Sequence, residues 1–133
     1  MSLYELAIKE VIRFHEMIEQ WFRGENPKLS ATILLDRFDP CFKLITPETK
    51  TLTFNELGGD WAKSIRGAYP NHQEKIESFQ KIYETNDTIV INYIETQTRG
   101  GQITKRLATA VMKRNQNDPQ KVDWITQHEG WIK

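Results

Sequence analysis

Between Thr88 and Arg114 the chain reads TIVINYIETQTRGGQITKRLATAVMKR, and few folds accept such a stretch. Ile89, Ile91, Tyr93, Glu95 and Gln97 share one face of an extended strand, and Val90, Asn92, Ile94 and Thr96 share the other. Gly100-Gly101 can take the positive φ of a tight turn, so a hairpin is predicted there. The return strand divides into Ile103, Lys105, Leu107, Thr109 and Val111 against Thr104, Arg106, Ala108, Ala110 and Met112. Both faces carry apolar side chains, whereas an ordinary two-layer sheet leaves one face wet. Helices are expected to cover one face, and a second copy of the chain to cover the other.

The rest of the sequence supplies those helices. Leu3, Ala7, Val11, Phe14, Ile18 and Trp21 recur at three- and four-residue steps, which predicts a helix over 2–23. Ser2 with Glu5 forms a capping box, and Gly24 stops the helix before Pro27. Ile8, Ile12, His15 and Phe22 widen the stripe, and His15 reads as a helix-face residue rather than a ligand. Ser30 is expected to cap a shorter helix reaching about Phe38, broken by Asp39-Pro40. A short strand over Cys41–Thr46 follows, then a turn at Pro47-Glu48-Thr49-Lys50. Thr53 and Glu56 open another helix through Leu57, Trp61, Ile65 and Tyr69, with a kink expected at Gly58-Gly59.

Residues 73–84 are read as a strand, with Ile76 and Ile82 on one face and Phe79 and Tyr83 on the other. After the hairpin, 115–121 is a polar loop and 122–132 a last strand, with Trp124 and Trp131 on opposite faces. The order predicts a single α+β domain over 1–133 in which a curved, mostly antiparallel sheet wraps onto its helices.

Eighteen basic and eighteen acidic residues cancel, which argues against general affinity for nucleic acid. Cys41 is the only cysteine, so no disulfide within the chain and no cysteine-built zinc site is expected, and it reads as a small core residue. No apolar run approaches the roughly 18 residues of a membrane span, and no secretory segment follows Met1. A cytoplasmic protein that does not engage membranes is expected. The three histidines show no metal-ligand spacing, and there is no Gly-rich phosphate loop or nucleophile elbow, so no metal or cofactor is expected.

Several stretches resemble the nuclear transport factor 2-like superfamily, including the SnoaL-like polyketide cyclases. They are the first helix ending in Trp21-Phe22-Arg23-Gly24, the Phe38-Asp39-Pro40 break, and Tyr93-Ile94-Glu95-Thr96-Gln97 followed by Thr104-Lys105-Arg106. The closing Trp124-Ile125-Thr126-Gln127-His128-Glu129-Gly130-Trp131 completes the set. The resemblance covers nearly the whole chain. It implies a cone-shaped α+β barrel with N-terminal helices in the concavity of the sheet, a pocket between them, and commonly a homodimer through the sheets. Members include isomerases, cyclases, dehydratases, hydrolases and non-catalytic assembly domains, so fold alone does not select a function.

Within such a cone, Tyr93, Glu95 and Gln97 face inward and Arg106 stands opposite Glu95, with Gln127 and Glu129 joining from the last strand. Glu95 and Glu129 are the candidate catalytic carboxylates, able to abstract a proton beside a carbonyl while Tyr93 donates to the developing oxyanion. Tyr93, Gln97, Arg106, Gln127, Trp131 and Trp61 are the candidate ligand-binding residues. The competing reading is an ion pair that locks strand register. The family's ketosteroid isomerase-like sites use aspartates, and its epoxide hydrolase-like sites an Asp-Arg-Asp set; here the candidate partners of Arg106 are glutamates. His128 and Thr126 are assigned to the outer face, and Ile94, Leu107, Val111 and Trp124 to a homodimer contact there. Three functions fit: a small-molecule-binding domain, an isomerase, cyclase or dehydratase using a pocket carboxylate, and a dimerisation or assembly module.

Overall fold

The first helix, α1 (Leu3–Arg23), starts where Ser2 and Glu5 cap each other's backbone N–H, at 3.1 and 3.3 Å. It ends at Gly24, whose φ of 72° is left-handed. A side chain at Gly24 would also put its Cβ 3.0 Å from the Gly67 Cα. That close approach docks the 65–69 segment on the end of α1, where Gly67 and Tyr69 donate to the Trp21 and Phe22 carbonyls. This computed structural model describes residues 1–133. The remaining elements are α2 (Ala31–Leu34), β1 (Phe38–Ile45), β2 (Thr51–Thr53), α3 (Phe54–Glu56), a π-turn (Leu57–Trp61) and α4 (Ala62–Ile65). The long strands β3 (Gln73–Glu84), β4 (Thr88–Arg99), β5 (Gln102–Arg114) and β6 (Val122–Ile132) complete the chain.

Six strands form one curved sheet in the order β2-β1-β6-β5-β4-β3. Every pairing is antiparallel except β1 with β6. The sheet is open, with β2 and β3 as its edges, so the cone does not close into a barrel. The β4–β5 hairpin turns through Gly100 and Gly101 at φ 53° and 83°, and Glu95 stands opposite Arg106. Ile89, Ile91, Tyr93, Ala108, Ala110 and Met112 are buried on the inner face against α1. Ile94, Leu107 and Val111 share the outer face, with Leu107 exposed. No helix is long and apolar enough to cross a membrane.

Two bulges shift side chains from the faces that simple alternation assigns them. In β6, Thr126 pairs with Val111 while Trp124 pairs with Met112, so Ile125 is an extra residue. Trp124 therefore turns inward, 1% exposed, and does not belong to the outer surface. Its ring stacks on Phe38 at 5.2 Å and 7°. Its indole N–H donates to the buried Glu10 carboxylate at 2.8 Å. In β3, Ser78 takes φ 60° and the register shifts between Glu77 and Gln80. Ile76 and Phe79 consequently both pack toward the core, while Ile82 and Tyr83 are both exposed.

Other expectations are corrected locally. β1 begins at Phe38 and runs through Asp39-Pro40, because at this end its partner β6 is irregular and needs no N–H from residue 40. Cys41, on that strand, is exposed rather than a core residue. The helix expected from Thr53 to Tyr69 is three short pieces, broken where Gly59 adopts φ −99°, ψ −113°. Thr51–Thr53 adds an edge strand to the turn region.

The buried position of Trp124 sets an energetic expectation. Trp124→Phe keeps most of the ring stack but removes the donor to a charged acceptor, at a cost of about 2 kcal/mol. Trp124→Ala also opens a cavity and costs about 3–5 kcal/mol. Urea unfolding of the two variants checks the order, and a Trp124→Ala midpoint equal to wild type would return the residue to the surface.

Candidate functional site

Along the inner face of β4 the chemistry changes at Tyr93. Ile89 and Ile91 lie on the apolar side, and Glu95, Gln97 and Arg99 continue on the other. A cavity of about 300 Å³ lies at this polar end. Phe14, Ile18 and Phe22 of α1 wall it on one side, and Phe42, Leu52 and Trp61 on another. Its polar lining is His15, Thr46, Glu48, Glu95, Gln97, Arg99, Arg106, Gln127 and Glu129. β4, β5 and β6 supply most of these because their register sets Arg106 between Glu95 and Trp131, and Ala108 beside Glu129.

A continuous hydrogen-bonded chain runs through this end. Arg106 Nη1 donates to Glu129 Oε1 at 3.0 Å, and Gln127 Nε2 donates to Glu129 Oε2 at 2.7 Å. That fixes the Gln127 carbonyl as an acceptor, and the Tyr93 hydroxyl donates to it at 3.1 Å. The single phenol proton is then used, so His15 Nε2, 3.1 Å away, must donate to the Tyr93 oxygen. His15 Nδ1 faces Glu74 Oε1 at 2.8 Å. Both ring nitrogens therefore face acceptors, the arrangement that an imidazolium satisfies. Burial alone would lower its pKa, but Glu95, Glu74 and Glu129 together raise it.

His72 is in the opposite state. Arg99 Nε donates to its Nδ1 at 3.0 Å, and an arginine can only donate, so the proton sits on Nε2 and is given to Glu74 Oε2. Burial, with Arg99 beside it, lowers the His72 pKa to about 4. Glu74 thus receives one donor on each oxygen.

Glu95 is served less well. Gln97 donates to its Oε2 at 2.7 Å, and the same oxygen is 3.7 Å from His15 Nδ1. Burial and the charge on Glu74 push its pKa up to about 7, against the pull of His15 and Arg106. Glu129 is raised by burial and by Glu95, with Arg106 opposing. Burial, then Glu95, hold the Tyr93 hydroxyl well above the usual phenol range, so it remains a donor. The site therefore has one carboxyl that exchanges its proton near neutrality, flanked by fixed donors.

Glu95, Gln97, Arg106, Gln127, Glu129 and Trp61 all line the cavity. Tyr93, fully buried, lies beneath it within the hydrogen-bonded chain instead of on its surface. Trp131 is 42% exposed and stacks on the Arg106 guanidinium at 4.7 Å, outside the lining. Arg106 is opposite Glu95 in register, yet its ion pair is with Glu129. His15, read from sequence as a helix-face residue, is 5% exposed and central to the network. Of the residues not among the sequence candidates, Arg99 continues the inward alternation of Glu95 and Gln97 on β4, whereas His72 and Glu74 join the network only through the packing of β3 and the 70–72 segment on α1. His15, Glu74 and Glu95 also offer ligand atoms within 4.8 Å of one another, from three separate elements that no sequence spacing links. A divalent cation there would have to displace a proton from His15 and break its bond to Glu74.

The raised Glu95 pKa has a stability consequence. Its folded pKa of about 7 exceeds the ordinary 4.5, so the folded state holds an extra proton between those values. Stability associated with the group is full below about 4.5 and is lost as pH rises through about 7. Glu95→Gln should remove a pH-dependent loss on the order of 2–3 kcal/mol. Urea unfolding of wild type and Glu95→Gln at pH 5 and pH 8 measures it, and parallel pH profiles would show an ordinary Glu95 pKa.

No protein-family model matches the sequence, and comparison with curated proteins gives no match. Comparison with solved structures shows a nuclear transport factor 2-like fold. An NTF-2-like protein of unknown function from Pseudomonas aeruginosa superposes with a TM-score of 0.89 at 23% identity, over 96% of this chain and 99% of that one. A ketosteroid isomerase-like protein from Erwinia carotovora atroseptica gives 0.62 at 11%, over 99% of each chain. The CamKII hub homology domain of Chlamydomonas reinhardtii gives 0.66 at 14%, over 96% and 98%. At these identities the likeness is one of fold.

Proposed function

We propose that the cavity of this nuclear transport factor 2-like fold binds a small organic molecule, apolar along most of its length and polar where it meets Glu95, Gln97 and Arg106. The observation that carries this is the division of the cavity itself: aromatic and aliphatic walls from the helical segments and from β1 and β2, and convergent polar side chains on β4, β5 and β6. Ligand pockets have that composition, with a few polar groups fixing orientation inside an apolar enclosure.

A second reading adds chemistry to the same site. A carboxyl with a pKa of about 7 is suited to take a proton at neutral pH and return it. Ionised Glu95 would take the proton from a carbon beside a ligand carbonyl, and the Arg106 guanidinium would meet the oxyanion that forms. Glu129 then keeps Arg106 in place at 3.0 Å and is a positioning group. This is the isomerase, cyclase or dehydratase type of reaction, with no cofactor required. Self-association is the third component of the proposal. Ile94, Leu107 and Val111 form an apolar strip on the outer face of a sheet that α1 leaves uncovered, the surface a homodimer of the domain would bury. A purely assembling role would leave the cavity without an occupant.

The test is a thermal-unfolding screen against small aromatic and cyclic ketones and enones. At about 100 times its dissociation constant, a ligand specific for the folded state should stabilise it by about 2.7 kcal/mol. Leu44, on the cavity wall, offers the control: Leu44→Trp fills the space and should abolish the shift. Shifts that survive Leu44→Trp would place binding elsewhere, and a panel without any shift would sink the ligand-binding reading.

A further inference from the structure

Arg99 has no counter-ion. Its Nε donates to His72, but no protein acceptor meets either Nη atom, and no carboxylate oxygen lies within the 4.0 Å of a salt bridge. Its charged group is nevertheless partly desolvated and held still. The guanidinium carbon sits 3.7 Å from the Tyr69 ring centroid and 4.6 Å from that of Phe22. Arg106 is similarly clamped, stacked on Trp131 at 4.7 Å with Nη1 on Glu129 at 3.0 Å. Its Nε is buried and has no partner. Buried guanidinium donors are ordinarily satisfied, because an unmade bond to a charged donor costs more than a neutral one. Both arginines line the same cavity, on the inner faces of β4 and β5, with the Gln97 amide between Glu95 and Arg99 on β4.

We propose that the polar end of the ligand is a carboxylate, bound between Arg99 and Arg106, and that the protein therefore accepts small organic acids with an apolar body. This deepens the reading above and rests on it. A carboxylate presents two coplanar oxygens to planar guanidinium forks, each able to take paired N–H donors. Arg99 supplies the unused fork, and Arg106 supplies Nη2, which no protein acceptor meets because only Nη1 is committed to Glu129. A doubly charged phosphate fits less well. Glu129 already neutralises much of Arg106, and Glu48 and Glu95 add further carboxyls to the same lining. A single negative charge balances the one uncompensated guanidinium. The ring clamps keep both groups extended before a ligand arrives, so little side-chain entropy remains to be lost on binding. Burial lowers the Arg99 pKa, as expected of a cation without a near counter-charge. With the head group at this end, the apolar body extends between Phe22, Phe42 and Trp61.

The experiment compares hexanoate, 4-phenylbutyrate and 2-naphthylacetate with their primary amides by isothermal titration calorimetry on the full chain. The amides keep the body and shape and lack the charge. Each acid should bind about tenfold or more tighter than its amide. Arg99→Gln should erase most of that preference, with acid affinity falling about tenfold toward that of the amide. Arg99→Lys, which keeps the charge and loses the fork, should fall between, and serves if Arg99→Gln does not fold. Equal affinity of acids and amides, or a preference that survives Arg99→Gln, overturns the carboxylate while leaving the cavity as a binding site. Acids and amides that both fail to bind, while neutral ketones do, overturn it in the same way. Absence of binding by every compound removes both readings.

Discussion

A carboxylate taken out of water must find donors, and the way four glutamates do so organises this molecule. Glu10 accepts from Arg13, Arg37 and the Trp124 indole, which ties α1 to the segment before β1 and to β6. Glu74 accepts from His15 and His72, which ties β3 to α1. Glu129 accepts from Arg106 and Gln127, which locks β6 to β5. Glu95 is the fourth. His15 and Arg106 are committed to its companions, and only the Gln97 amide is within a hydrogen bond of it. Burial and the charge of Glu74 push the Glu95 pKa up to about 7.

The cavity follows from the same arrangement. α1 covers the apolar half of the inner face, where Ile89, Ile91, Ala110 and Met112 meet its own buried residues. Beyond Tyr93 the face is polar, and a second helix laid directly on it would strand its charges. The short pieces α2, α3, the π-turn and α4 instead stand off as an apolar wall, leaving the space that Trp61 and Phe42 enclose. Fold stability and pocket chemistry are therefore adjacent on the same strands, separated by one tyrosine whose hydroxyl belongs to the polar side.

The positions of Glu95, Gln97, Arg106, Gln127 and Glu129 along the cavity can be traced from period-two alternation on three long strands, because β4 pairs with β5 without interruption. The α1 stripe and its caps are equally visible, being local in sequence. Trp124 shows where alternation stops being a guide. Counting by twos from Gln127 puts it outside, and one extra residue at Ile125 brings it inside. Ser78 has the same effect on Ile76 and Phe79. A bulge is set by how two strands fit their twist to each other, which neither strand's composition records. His15, His72, Glu74 and Arg99 are a different case: each has an ordinary local context, and their meeting depends on distant elements packing together.

From sequence alone came the class of fold, the hairpin at Gly100-Gly101, the inward face of β4 and β5, and the pairing of carboxylates with a guanidinium on that face. These rest on periodicity, capping and turn chemistry, all short-range properties of the chain. Tertiary structure alone decided that the sheet stays open, that Arg106 pairs with Glu129 although Glu95 is its partner in register, and that the pKa of His15 is raised while that of His72 is lowered. The reason is that a proton or a counter-ion goes to whichever group the surrounding desolvation and donors favour, and those surroundings exist only once α1, β3 and β6 have closed on one another.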